Sequence, residues 1–86
     1  ICHEGLLELK KHDEENQTQY METLRVYLEQ HLSATQAARE LFIHRSTFLY
    51  RLDRIKEILQ SELDDPEEIF YLELSFRLLE QEQEKE

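Results

Sequence analysis

The chain has one glycine, one proline, one cysteine and no tryptophan in 86 residues. Gly5 and Pro66 are therefore its only strong helix breakers, while Leu, Glu, Gln and Arg abound, so the composition favours helix over sheet and predicts an all-α fold. Cys2 stands alone, which rules out an internal disulfide and gives no sign of an oxidising compartment; the expected setting is cytoplasmic. No apolar run approaches the roughly 18 residues of a membrane span, and no basic, apolar and small-residue series marks a secretion signal, so no membrane contact is expected. The start at Ile1 rather than Met reads as that of a fragment. One domain of this size buries only a little over ~60% of the surface its unfolded chain exposes, which argues against a deep substrate cavity.

Positive charge is also scarce. The formal net charge is −10, and an evenly spread excess of that sign would repel nucleic acid. It is not evenly spread: from Ala34 to Lys56, Arg39, Arg45, Arg51, Arg54 and Lys56 face only Glu40 and Asp53, a local charge of +3 against −13 for the remainder. Such a patch on an acidic body can still hold a phosphate backbone, with weakened non-specific binding and sharpened salt dependence.

Apolar periodicity divides the chain into helices. Leu6, Leu7 and Leu9 suggest a short helix over Glu4 to Lys11, followed by a polar loop from His12 to Gln17. Tyr20, Leu24, Tyr27, Leu28 and Leu32 recur at amphipathic spacing and predict a helix from Thr18 to His31. Ser33 offers a hydroxyl cap, with Gln36 three residues on to reach back to the cap amide, so a further helix starts there and runs through Ala37, Ala38 and Leu41. Phe42 to His44 form a turn, and a helix from Arg45 to Gln60 places Phe48, Leu52, Ile55 and Leu59 on one stripe. Asp65, Pro66 and Glu68 combine an acidic cap, a first-position proline and a box-closing glutamate, starting a final helix whose apolar face comprises Ile69, Leu72, Phe76 and Leu79, with Phe70 and Leu74 beside them. Residues 80–86 are wholly polar and expected to fray, leaving a single domain with its core at about 6–79.

The functional pattern lies in TQAARELFIHRSTFLYRLDRI, Thr35 to Ile55. A helix-turn-helix braces one helix so that the N-terminal end of the next enters the major groove. That geometry requires small residues where the helices touch (Ala37, Ala38), apolar ones in the turn and along the buried stripe (Leu41, Ile43, Phe48, Leu52), and polar or cationic ones at the leading end. Arg45 is the leading candidate for a base-edge contact, since a guanidinium pairs bidentately with guanine. His44 and Ser46 flank it, Thr47 and Tyr50 suit phosphate hydrogen bonds, Arg51 and Arg54 supply charge that sets register, and Gln36 and Arg39 on the bracing helix reach toward the backbone.

LFIHRSTFLYRLDRI, the later LDDPEE and the closing LELSFRLL, with METLRVYLE before the motif, together resemble the C-terminal helix-turn-helix of PucR/CdaR-type bacterial transcription regulators over about Leu6 to Leu79. A more distant likeness is to the Fis-like helix-turn-helix. The resemblance implies a small helical bundle that binds double-stranded operator DNA, usually as a homodimer, without a cofactor. It also implies a small-molecule effector, often a sugar diacid or a purine-related metabolite, acting through an N-terminal sensory region that this chain does not contain. Two positions depart from the pattern: Ser46 stands where the family commonly has Asn, which bears on base preference, and Phe42 stands where many other helix-turn-helix proteins use Gly, which predicts a variant turn.

Other readings of the same residues exist. Arg51 and Arg54 can pair with Glu57 or Asp53 along their own helix, and His44 can serve as a helix cap. Cys2, His3, His12 and His31 match no metal-ligand spacing, and Asp64, Asp65, Glu67 and Glu68 suit a helix start better than an acid pair. No nucleophile and base stand together and the lone glycine makes no phosphate loop, so no enzyme is expected. The principal alternative is a helical module that dimerises or docks another protein through the apolar face from Ile69 to Leu79.

Overall fold

The computed structural model describes residues 2–84. Among them the chain forms five α-helices and no strand: α1 (Glu4–Asn16), α2 (Tyr20–Glu29), α3 (Ala34–Glu40), α4 (Arg45–Leu59) and α5 (Pro66–Glu84). The expected all-α class holds. No helix among the described residues is long and apolar enough to cross a membrane.

The core is built around α4, which packs against α1, α2 and α3, while α2 also touches α1, α3 and α5. Phe48, Leu52, Ile55 and Leu59, the stripe expected from the 3.6-residue period, are all buried. Each such side chain contributes roughly 1.5–3 kcal/mol by leaving water. They share the core with Leu6 and Leu9 of α1, Leu24 of α2 and Leu72 of α5, all fully buried. Ala37 and Ala38 are buried too, in keeping with the close α3 to α4 approach that small residues permit. At the start of α1, Gly5 lets the chain pass tightly over α4: a Cβ there would stand 3.1 Å from the Leu59 Cα and 2.9 Å from the His3 ring.

Three local expectations need correction. Residues His12 to Gln17 do not form a loop; α1 continues through Asn16, whose side-chain Nδ2 donates to the His12 carbonyl at 3.1 Å. The helix persists because its polar end has work on the next helix. The Asp13 carboxylate accepts the Tyr20 and Met21 amides at 2.9 and 2.8 Å, together with the Thr18 hydroxyl, and so caps α2, whose own N-cap residue Gln19 makes no side-chain capping bond. Thr18 has given its only proton to Asp13, so it accepts from His12 Nδ1, and the His12 ring lies flat on Tyr20.

The two capping boxes are half-formed. Ser33 Oγ accepts the Gln36 amide at 3.2 Å as expected, but the Ser33 amide donates to the Gln30 carbonyl rather than to the Gln36 side chain. Asp65 accepts the Glu67 amide at 3.1 Å, whereas Glu68 turns away from it. Glu68 instead accepts from the Ser61 hydroxyl and from His3 Nε2 at 3.0 Å. Because His3 Nδ1 accepts the Gly5 amide, its proton must sit on Nε2 and point at Glu68. The Ser61 hydroxyl and this imidazole hold the Glu68 carboxyl below the usual carboxylate range. The His3 amide also donates to the buried Ser75 hydroxyl on α5. The N-terminal end of α1 is thereby fastened to α5, just as its C-terminal end is fastened to α2.

With glycine absent from every turn, ordinary residues take the left-handed backbone. Gln17, His31, Leu32, Phe42, Gln60 and Leu63 all have φ between 55° and 64°, and at least one of them lies in each of the four connections. The fraying expected from Glu80 onward falls partly outside the described residues; α5 itself runs unbroken to Glu84.

Candidate nucleic-acid interface

The turn between α3 and α4 fixes the site. Leu41 ends α3, its amide donating to the Ala37 carbonyl at 3.1 Å; Phe42 then reverses the chain at φ 58°, and the Ile43 amide reaches back to the Ala38 carbonyl at 3.1 Å. The expected variant turn is thus one of residue and not of backbone, since Phe42 adopts the conformation that glycine takes without cost. Its phenyl group is 94% exposed. Leu41 and Ile43 are half-buried and pack against the core, leaving His44 at the N-cap of α4.

From there the helix presents two unlike faces. His44, Arg45, Ser46 and Thr47 are all exposed, and Tyr50, one turn on, is 65% exposed. Phe48 behind them is fully buried and meets the Tyr27 ring at a centroid distance of 5.6 Å, a contact that ties α4 to α2. Burial raises the Tyr27 phenol above its ordinary range, so it stays neutral under the helix. His44 occupies the cap position but its side chain makes no capping bond. Arg45 forms no ion pair and no side-chain hydrogen bond among the described residues, and the same is true of Arg39 and Gln36, both exposed on α3.

The two later arginines differ. Arg54 pairs with Glu57 at 3.3 Å, one of the partners its helical spacing offered. Both groups are substantially exposed, so the pair is weak and easily exchanged. Arg51 instead leans back across α2, donating from Nη1 to the Thr23 Oγ1 at 3.3 Å. Thr23 is fully buried and gives its own proton to the Gln19 carbonyl at 2.7 Å, so its oxygen is free to accept. Sequence reasoning passed over Thr23 although a signal was there: it falls three residues after Tyr20 on the buried stripe of α2, and a buried hydroxyl requires partners.

The nine residues singled out from the sequence (Gln36, Arg39, His44, Arg45, Ser46, Thr47, Tyr50, Arg51 and Arg54) therefore sit on α3, its turn and α4, and none is fully buried. Among the described residues no cluster of three or more His, Cys, Asp or Glu side chains is placed to hold a metal ion.

The model of the PucR C-terminal helix-turn-helix domain family matches residues 20–78, from the first residue of α2 almost to the end of α5. The chain belongs to this family. Its relatives are regulators of Bacillus subtilis (strain 168): it is 38% identical to the purine catabolism regulatory protein over 73 residues, 85% of this chain. It is 40% identical to the proline-responsive transcriptional activator PutR over 57 residues, 66% of the chain, and 32% identical to the DNA-binding transcriptional activator AdeR over 74 residues, 86% of the chain. The aligned stretches span 14%, 14% and 18% of those relatives. No solved structure gives a significant match. Membership places this helix-turn-helix domain among the DNA-binding parts of transcription regulators, and not among enzymes. The helix α1 lies outside the matched family region yet buries Leu6 and Leu9 completely against the rest of the fold.

Proposed function

We propose that the domain binds operator DNA sequence-specifically in the cytoplasm, with the N-terminal end of α4 in the major groove. The observation that carries this reading is the free leading end of α4: Arg45, exposed and unpaired among the described residues, projects beside His44 and Ser46 while Phe48 and Leu52 anchor the opposite side. Arg45 reads a guanine edge, with His44 and Ser46 touching neighbouring bases. Thr47 and Tyr50 hydrogen-bond phosphates, and Gln36, Arg39 and Arg54 add backbone contacts, Arg54 by exchanging Glu57 for phosphate. Arg51, held by Thr23, both fixes the pitch of α4 on α2 and leaves its remaining N–H groups for phosphate. Two copies then place their recognition helices about one DNA turn, ~34 Å, apart on a near-palindrome. By analogy with the named relatives, the longer regulator responds to a small metabolite sensed elsewhere in the protein.

Selection of bound duplexes from a random pool by the full-length regulator tests the reading, since an enriched two-fold site is expected and an unenriched pool would overturn it. In this chain, Arg45→Ala is expected to lose about 1–3 kcal/mol of specific binding and to relax preference at one position, with the melting temperature unchanged. A variant that binds as tightly and as selectively as the wild type would remove Arg45 from the interface. If the chain folds but ignores duplex DNA at low salt, a protein-docking role replaces this reading, though not through the Ile69 to Leu79 face, since Leu72 and Phe76 are buried and Ile69 and Leu79 pack against the core.

A further inference from the structure

The outer face of α5 carries a pattern that DNA binding leaves unused. Leu72, Ser75 and Phe76 are buried, and Ile69 and Leu79 pack beside them. At about 100° per residue, the direction opposite to these is occupied by Glu67, Phe70, Leu74, Arg77 and Gln81, spaced by three and four residues in turn. All five are exposed. Phe70 is 66% and Leu74 is 44% exposed, so the centre of the row is apolar surface facing water at the pole of the helix farthest from the core. Arg77 forms no ion pair among the described residues, although Glu73 and Glu80 flank it on the same helix. The row reads acid, apolar, apolar, base, and that order is its own complement when reversed.

We infer that this face is where a second copy of the chain docks, α5 against α5 in antiparallel register, with each Phe70 packed on the partner's Leu74 and each Glu67 paired with the partner's Arg77. The charge order selects both occupant and direction. A parallel arrangement sets Glu67 against Glu67 and Arg77 against Arg77, whereas the antiparallel one about a two-fold axis beside residue 72 satisfies both pairs at once. The same axis brings the apolar pair to the middle of the contact and leaves the ion pairs at its rim, the arrangement that specific interfaces share. Four positions from each copy form a small patch, near the lower limit of roughly 1,000 Å² for an interface that holds unaided. The isolated dimer is accordingly weak, with dissociation on the order of 100 µM, and is consolidated when two half-sites lie on one duplex. This inference deepens the dimeric reading of DNA binding given above.

Sedimentation equilibrium of the chain in moderate salt, up to about 1 mM, tests it. A monomer–dimer equilibrium is expected, weakened at least about 10-fold by Leu74→Glu and about 5-fold by Glu67→Arg or Arg77→Glu alone. The double variant Glu67→Arg/Arg77→Glu is expected to return to within about two-fold of the wild type, because the swapped row is still its own complement. Helix content and melting of Arg77→Glu and the double variant are compared in parallel, so that any cost of a cation at the start of α5 is seen separately. A chain that stays monomeric at 1 mM, a dimer untouched by Leu74→Glu, or a double variant no tighter than either single one would each overturn the proposal. Binding to a duplex carrying one half-site is measured on the same samples. It is expected to survive Leu74→Glu, so failure of the dimer face and failure of DNA recognition give different results.

Discussion

Removing the Asp13 carboxylate should unfasten α2 from α1. Three groups donate to it: the amides of Tyr20 and Met21, at 2.9 and 2.8 Å, and the Thr18 hydroxyl. A hydrogen bond to a charged acceptor contributes about 1.5–3 kcal/mol, and loss of a helix N-cap costs about 0.5–2 kcal/mol. The three bonds share one carboxylate and the site is only half-buried, so water replaces part of what is lost and the contributions do not add. Asp13→Ala is therefore expected to destabilise the domain by about 2–3 kcal/mol, a large share of what a chain of this size has. With a urea slope of about 1 kcal/mol per molar, the midpoint falls by roughly 2 M, and the melting temperature by roughly 10–20 °C. Asp13→Asn keeps one acceptor oxygen but turns an NH2 toward the backbone amides, so it should lose about half as much. Urea titration followed by helical circular dichroism measures both. An Asp13→Ala stability within about 0.5 kcal/mol of the wild type would refute the argument, because it would mean that α2 starts without help from α1.

Further expectations follow from particular contacts. Phe42→Gly should raise stability by about 0.5–1 kcal/mol, since φ 58° suits glycine and a phenyl group 94% exposed has no packing to lose; an unchanged urea midpoint would show that the ring packs in solution. Gly5→Ala should lower the melting temperature although alanine favours helix by about 1 kcal/mol, because the new methyl meets the Leu59 Cα and the His3 ring; a rise would show that α1 moves freely over α4. The Ser61 hydroxyl and His3 depress the Glu68 carboxyl in the folded state, so its contribution is complete above the ordinary glutamate range and is lost as the pH falls through the folded value. Urea midpoints recorded from neutral pH down to about pH 3 should fall less steeply for Glu68→Gln than for the wild type, and identical slopes would show that the ring and hydroxyl bonds are absent in solution.

What the sequence made legible was the helix starts and buried stripes set by spacing along one helix. Ser33 capping, the Pro66 start of α5 and the buried stripe of α4 depend on local spacing, and the structure has them where the spacing put them. The errors arose where a polar group found its partner outside its own helix. The segment from His12 to Gln17 looked like a loop because its side chains are polar, yet Asp13 and His12 are spent on Thr18, Tyr20 and Met21. Glu68 had the spacing of a capping-box residue, but His3, 65 positions earlier, and Ser61 competed for its oxygens and won. Turns were equally hard to see, because six non-glycine residues adopt a left-handed backbone that sequence normally announces with glycine. At the recognition surface the residue types identified the outward face, but not that Arg51 would be drawn to Thr23 on α2. That choice depends on the crossing of two helices, which no single helix encodes.

Electrostatics connects the recognition surface to the α5 face. Each phosphate neutralised contributes about 0.9 to the salt slope of binding to duplex DNA, and the free energy comes largely from the counterions released. One copy has few cations to offer: between Ala34 and Lys56 only Arg39, Arg45, Arg51, Arg54 and Lys56 are basic, and Arg54 must exchange Glu57 for phosphate before it contributes. The rest of the chain carries −13 and is repelled by the same phosphates. This charge distribution favours the proposed approach, with α3 and α4 leading, over others, and predicts weak binding by a single domain. The proposed pairing through α5 would change the balance without adding a cation to either copy, because the second domain would bind at the effective concentration set by the first. On that proposal the acidic surface would serve selectivity: it would keep the single domain off random DNA, and only a duplex with two correctly spaced half-sites would offset the repulsion of both copies.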